Sequence, residues 1–275
     1  GTQFDSYSLL DSFGHEEYRA LRDLCEDAGI EFMSTPFDNE SVDMLVDIGV
    51  KGFKVASCDL TNYRLLKHIA GKGLPMLLST GASSIEEIRQ AVSVIESAGL
   101  NDYLIMHCTL TYPTPDEDAN LSALNHLKVE FPGTLLGLSD HTLGIEIGAG
   151  GVLLGASALE KHFTIDKSLP LSADHWLSLD GGELRELVGL VRKFEQARGL
   201  GEKVVLDSEW LARDNARRSL VYSKSLPSGT VLTPEMIEEK RPGTGISPFR
   251  IDEFVGCTLA RDVDRDQLLA ELDFE

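Results

Sequence analysis

Between Glu31 and Arg198 the chain alternates short apolar runs with helix-like stretches, and this alternation restricts the fold more than any other property of the sequence. Six runs read as strands: Glu31 to Pro36 (EFMSTP), Phe53 to Ser57 (FKVAS), Pro75 to Thr80 (PMLLST), Tyr103 to Cys108, Leu135 to Leu138 and Ala158 to Leu159. Stretches with apolar residues at helical spacing lie around them: Glu16 to Ala28, Glu40 to Ile48, Tyr63 to Ala70, Ser84 to Ala98, Leu121 to Glu130 and Gly182 to Arg198. Gly144 to Gly155 is rich in small apolar residues, as suits a helix lying close on a sheet. A helix between successive strands is the connection that parallel strands need, so the pattern predicts an all-parallel sheet wrapped by helices.

The expected fold class is α/β, a (β/α)8 TIM barrel. Six strands are counted where a complete barrel has eight, so the N-terminal units are missing from the pattern, and the shortage is placed before Gly1. Residues 1–199 form this barrel domain. From Leu200 to Asn215 the sequence is polar and irregular and reads as a linker, residues 200–215. Residues 216–275 change character. The run Arg218 to Tyr222, the turn Pro227-Ser228-Gly229, a short helix opened by Thr233-Pro234-Glu235 and the Pro/Gly-rich loop from Lys240 to Gly245 predict a small β-rich domain.

The strands expected at Leu135 and Ala158 both run into a histidine: Ser139-Asp140-His141 after the first, Glu160-Lys161-His162 after the second. Both imidazoles then stand at the exit ends of neighbouring parallel strands, the face on which barrel enzymes build their active sites. One histidine alone would read as a core residue bonded to backbone. Two at matched places point to a shared divalent metal. His107 lies inside an apolar run without that support and reads as a core histidine.

Other strand ends carry polar residues too: Thr35, Lys54 and Ser57, Ser79 and Thr80, His107 with Tyr112 beyond it, and Ser139. Lys54 is the most telling, because a buried strand has no structural use for a lysine. It either snorkels out of the rim or offers an ammonium to a phosphate or carboxylate, with hydroxyls of Thr35, Ser57 and Ser79 completing the anion site. Asp174 and His175 follow a long loop that either folds over the site or stays exposed. Arg241 stands in a stiff Pro/Gly loop, as a solvated charge or as a group carried into a neighbour's active site.

Charge narrows the partners. With 25 basic and 45 acidic residues, the formal charge of −20 argues against nucleic acid or an anionic membrane as partner. No apolar run approaches the roughly 18–20 residues that span a bilayer. Cys25, Cys58, Cys108 and Cys257 are widely spaced and form no Cys-x-x-Cys pair, a usage that suits a reducing cytoplasm.

Taken together, STPFD at Ser34 to Asp38, KVAS at Lys54 to Ser57, LSTGAS at Leu78 to Ser83, HCTLTYPTP at His107 to Pro115, GLSDHT at Gly137 to Thr142, EKHFT at Glu160 to Thr164 and KRPGTGISP at Lys240 to Pro248 resemble the sialic acid synthase family. The resemblance covers essentially the whole chain, with the motifs in order. It implies a TIM barrel followed by an antifreeze-like (SAF) domain, and condensation of phosphoenolpyruvate with an N-acyl hexosamine to a nine-carbon 2-keto sugar acid. It further implies that His141 and His162 hold Mn²⁺ or Mg²⁺, that Thr35, Lys54, Ser57, Ser79 and Ser139 hold phosphoenolpyruvate, and that Tyr112 and Asp174 lie near the metal water and the sugar. Arg241 would reach from one subunit's SAF domain into the other's barrel, which makes the implied assembly a domain-swapped homodimer.

Three departures stand out. The family's first two strands carry a glutamate and a lysine in segments that this sequence does not contain, so the fragment by itself is expected to lack part of the catalytic set. Leu110 stands where a bacterial N-acetylneuraminate synthase has asparagine, and the loop Leu169 to Asp174 (LPLSAD) replaces the usual Gly-Pro-Asp. Both leave the sugar open, with a legionaminate-like product among the choices. Two other readings compete: a metal-dependent aldolase of another barrel family, which would have no need of the second domain, and a non-catalytic barrel remnant serving as a carbohydrate-binding or dimerisation scaffold, which would have no need of an intact Lys54, His141 and His162.

Overall fold

The computed structural model describes residues 13–170, 174–199 and 201–275. The chain divides into two compact units, Gly1–Gly199 and Leu200–Glu275.

In the first unit, α1 (His15–Asp27) and α2 (Asn39–Ile48) precede a regular series: β1 (Phe53–Val55), α3 (Tyr63–Ala70), β2 (Met76–Ser79), α4 (Ile85–Ser97), β3 (Tyr103–Cys108), α5 (Ala123–Glu130), β4 (Leu135–Asp140), α6 (Glu146–Leu153), β5 (Ala158–Lys161) and α7 (Gly181–Arg198). The five strands pair in sequence order, every pair parallel. This is part of a TIM barrel, as the alternation predicts. Helix starts follow local chemistry. Asp38 caps α2 through Ser41 N–H at 2.7 Å, and Ser84 with Glu87, and Asp180 with Glu183, form reciprocal caps on α4 and α7.

Side-chain alternation sorts each strand into two faces. Phe53, Val55, Met76, Leu78, Ile105, Leu136 and Leu138 join Leu45, Ile48, Leu66, Ile69, Ile95 and Leu124 of the helices in one buried core. Helix α6 lies so close to β4 that a Cβ at Gly151 would stand 2.6 Å from Leu138 Cδ2. Its three glycines each cost about 1 kcal/mol in helix propensity, and the close approach to β4 accounts for two of them, Gly148 and Gly151.

Two expectations change. Glu31 to Pro36 is not a strand: the segment makes one backbone bond to β1, Lys54 N–H to the Ser34 carbonyl at 3.4 Å. It ends in Pro36, which has no N–H to give, and a single long bond at an edge does not build a ladder. The stretch 200–215, read as irregular, contains a 3₁₀ turn at Asp207–Glu209 and α8 (Trp210–Ala216). Glu209 Oε2 accepts the Leu206 N–H at 3.0 Å, which nucleates the first turn.

In the second unit, β6 (Ser219–Tyr222) pairs antiparallel with β7 (Ile237–Lys240), and isolated bridges such as Leu226 to Val263 and Leu259 to Phe274 complete a small β module. Leu220, Tyr222, Leu232, Phe254, Leu259 and Leu269 fill its core. Among the described residues no helix is long and apolar enough to cross a membrane.

Candidate active site

The strand faces opposite the helix-packed core carry one polar side chain near each exit end: Lys54 on β1, Ser79 on β2, Cys108 on β3, Ser139 on β4 and Glu160 on β5. Cys108 and Ser139 are direct partners in the sheet register, as are Ser139 and Glu160. Lys54 Nζ donates to Ser79 Oγ at 2.6 Å and lies 3.3 Å from Glu160 Oε2, while Ser139 Oγ donates to Glu160 Oε1 at 2.7 Å. In a flat sheet β1 and β5 would lie about 19 Å apart, four strand spacings, well beyond the combined reach of one lysine and one glutamate. Their contact shows that the sheet curls as a barrel does and closes its polar rim through side chains. The Lys54 side chain is 12% exposed and that of Glu160 39%, so the ammonium is held in a partly enclosed site with one side open to solvent.

Beside this network stand the two histidines. His141 and His162 follow the last residues of β4 and β5, and their rings are 5.2 Å apart and nearly perpendicular. Tyr112 packs on both, 4.2 Å from His141 and 5.4 Å from His162 between ring centres. His141 Nδ1 is 3.0 Å from the Thr109 carbonyl, which fixes that nitrogen as the N–H donor and leaves Nε2 with its lone pair. Asp174 Oδ2 lies 3.6 Å from His162 Nδ1. Burial, then the neighbouring His141, lowers the pKa of His162 and favours its neutral form. For His141 burial acts in the same direction, but the Cys108 thiol and the Thr109 carbonyl outweigh it and the net shift is upward.

Ser57 reaches the imidazole pair through Cys108. Its hydroxyl accepts the Gly81 N–H at 3.0 Å and lies 3.6 Å from Cys108 Sγ, which is itself 3.9 Å from His141 Nδ1. A Cβ on Gly81 would stand 2.8 Å from Ser57 Oγ, so only glycine lets this turn come so close. Thr35 sits half-buried in the extended segment beside β1. Arg241 belongs to the second unit, where its Nε donates to the Ala216 carbonyl at 3.0 Å.

Neighbouring residues settle into supporting places. His107 is buried and bonded through Nε2 to the Ala119 carbonyl at 2.9 Å, a satisfied core histidine. His175 Nδ1 meets Thr164 Oγ1 at 2.8 Å. Residues 171–173 of the loop Leu169 to Asp174 lie outside the described residues. Sequence reasoning assigned no role to Glu160. The signal was available: two positions before His162 on a strand, a residue shares the histidine's face.

Among the described residues no group of three or more His, Cys, Asp or Glu side chains is arranged to hold a metal. The two imidazoles fit a divalent ion as a partial donor set. Mn²⁺ and Mg²⁺ take oxygen from water and substrate for their remaining positions, so two protein nitrogens do not conflict with either.

Comparison with known proteins gives the same reading along the whole chain. Residues 1–203 match the NeuB family and residues 217–275 match the SAF domain. The N,N′-diacetyllegionaminic acid synthase of Legionella pneumophila is 40% identical over 266 residues, 95% of this chain and 74% of that protein. The human N-acetylneuraminate-9-phosphate synthase is 35% identical over 260 residues, 94% of this chain and 72% of that protein. The crystal structure of the N-acetylneuraminic acid (sialic acid) synthetase from Leptospira borgpetersenii superposes with a TM-score of 0.70 at 37% identity, covering 73% of this chain and 69% of that one. The family and domain matches run from residue 1 to residue 275, and the chain belongs to the NeuB family of nonulosonate synthases with a C-terminal SAF domain.

Proposed function

We propose that this chain supplies the phosphoenolpyruvate site and the metal-binding pair of a synthase that condenses phosphoenolpyruvate with an N-acylated mannosamine-type sugar, releasing phosphate. The observation that carries the reading is the Lys54–Ser79 bond, joined through Glu160 to Ser139 on the two strands that lead into the imidazoles. Lys54, with hydroxyls of Thr35, Ser57, Ser79 and Ser139, binds the phosphate and carboxylate of the substrate, and the incoming anion takes the place of Glu160 on the ammonium. Held there, the alkene carbon of phosphoenolpyruvate faces the sugar aldehyde across the rim. The new carbon–carbon bond forms between them, water adds to the cationic carbon left behind, and the phosphate anchored by Lys54 departs with its bridging oxygen. His141 and His162 would hold Mn²⁺ or Mg²⁺, which when bound supplies Lewis-acid polarisation of the aldehyde oxygen. Tyr112 covers one side of the imidazole pair and orients the sugar against it, and Asp174 accepts from the water or sugar hydroxyl beside His162.

The second domain belongs to the same reading. Residues 200–215 connect the barrel, residues 1–199, to the SAF domain, residues 216–275, and Arg241 reaches the sugar's N-acyl group in the barrel of a second subunit of a domain-swapped homodimer. The substrates are small cytosolic metabolites, and the four cysteines are free thiols, which suits a cytoplasmic enzyme. Phosphate release from phosphoenolpyruvate, measured in the protein that carries this chain, tests the proposal. Release is expected only when an N-acyl mannosamine-type sugar and a divalent metal are both present. Turnover that survives EDTA, or that proceeds without sugar, would overturn it.

A further inference from the structure

Behind the two histidines, on the helix side of the sheet, lies a buried ion pair that the chemistry above does not use. Lys161 Nζ stands 2.7 Å from Asp140 Oδ2, with side chains 6% and 2% exposed. The same ammonium donates to the Thr142 carbonyl at 2.6 Å, and Asp140 Oδ1 accepts both the Thr142 N–H at 2.9 Å and its hydroxyl at 2.8 Å. Asp140 and Lys161 are opposite each other in the register of β4 and β5 and form its last rung. A Cβ at Gly148 of α6 would stand 2.9 Å from Asp140 Oδ2, so the helix seals the pair from above.

A pair this deeply buried is a poor source of stability, because the desolvation of both charges roughly cancels their attraction and an apolar pair of equal volume does at least as well. Its placement suggests a different use. Asp140 is the residue before His141, Thr142 the residue after it, and Lys161 the residue before His162. One ammonium therefore binds the chain on both sides of the first histidine while being covalently adjacent to the second. Two short bonds from the ammonium, with Thr142 also tied to Asp140, leave little freedom for either backbone, and alternation sends the two imidazoles to the opposite face.

We propose that Asp140 and Lys161 are positioning residues that set the separation and orientation of the His141 and His162 rings. This rests on the reading of those rings as the metal pair. The decisive variant is the apolar pair Asp140→Leu with Lys161→Met, compared with Lys161→Met alone. The single variant leaves a buried carboxylate without its cation and is expected to lower Tm sharply. The double variant is expected to recover most of that Tm, yet to bind Mn²⁺ at least tenfold more weakly, with the KM for phosphoenolpyruvate little changed because Lys54 and Ser79 stand elsewhere on the rim. Its His141 and His162 ring resonances, measured by NMR without metal, should shift or broaden while that of His107 stays in place. Recovery of both Tm and Mn²⁺ affinity, or unmoved ring resonances, would make the pair structural only and overturn the proposal.

Thr142→Val is the gentler check, since it keeps the ion pair and the fold and removes one hydroxyl. It is expected to weaken Mn²⁺ binding several-fold with Tm nearly constant, and unchanged affinity would count against a positioning role. If the wild-type protein itself fails to bind Mn²⁺, the metal reading fails. The ring resonances of the double variant then decide the positioning inference by themselves.

Discussion

The two units each hold a carboxylate among hydrogen-bonding partners, with opposite results. In the second unit, Asp273 is fully buried and saturated: it accepts from the Tyr222 hydroxyl at 3.0 Å, from the Ala270 N–H at 2.8 Å and from the Arg261 guanidinium. Every partner comes from the same small unit, and three of them converge on the one carboxylate. In the first unit, Glu160 holds Lys54 and Ser139 at the open rim, and the adjacent imidazoles keep a ring nitrogen free of the backbone. A saturated polar cluster rigidifies, whereas a partly open one can exchange a protein partner for a ligand. Under the proposed function, the difference separates a structural use of charge from a catalytic one.

Variants at the two clusters can break or sharpen that contrast. The largest effect is expected at the imidazoles. His141→Ala and His162→Ala should each lower turnover by about 10³-fold, equivalent to about 4 kcal/mol, and abolish Mn²⁺ binding while thermal unfolding stays close to wild type. If either variant loses several kcal/mol of stability and retains Mn²⁺ affinity, the pair belongs with Asp273 as structure and the contrast fails. Asp273→Ala should do the reverse, costing the second unit roughly 3 kcal/mol, because a buried phenol and a backbone N–H lose their acceptor. Denaturant unfolding of the two units measures it, with the first unit expected to be unaffected.

A smaller effect is expected at Lys54. Lys54→Met should raise the KM for phosphoenolpyruvate about 30-fold, equivalent to about 2 kcal/mol, with little loss of stability because Glu160 turns to solvent. A large stability loss would mean that the Lys54–Glu160 pair closes the sheet rather than waiting for substrate. The smallest effect concerns alkaline pH. Burial, then the Asp273 carboxylate, raises the pKa of Tyr222 above that of a free tyrosine, about 10. A raised pKa in the folded state means that the contribution is complete below about pH 10 and is lost as pH rises from there towards the folded value. The second unit should therefore weaken above about pH 10, and Tyr222→Phe should flatten that profile at a cost of about 1 kcal/mol near neutrality. An identical alkaline profile in the Phe variant would show that the bond to Asp273 contributes nothing.

Much of this was legible in the residues. Tyr63–Ala70 forms the helix, and Tyr103–Cys108 the strand, at the bounds that the pattern indicates, because caps and apolar periodicity are local properties. Glu31 to Pro36 was misread because a strand exists only by pairing, and its apolar content says nothing of whether an edge will form a ladder. The helix from Trp210 to Ala216 was misread for a related reason: a stretch of seven residues is too short to carry a clear periodic signal, and a carboxylate three positions downstream of Leu206 supplies the turn. Glu160 was passed over although its parity with His162 was in plain view, because a glutamate at a strand end usually reads as a solvated charge.

The sequence by itself determined the parallel order of strands, the face on which each side chain stands and the placing of two histidines at neighbouring exits. All of these follow from a period of two along a strand and from helices between strands. Only the tertiary structure decided that Lys54 of β1 meets Glu160 of β5, more than a hundred residues later, and that Asp140 locks Lys161 behind the imidazoles. Those contacts depend on how far the sheet curls and on how closely the glycines of α6 let a helix approach it. Curvature and approach are set by the packing of all the elements together, and no single stretch of the chain contains them.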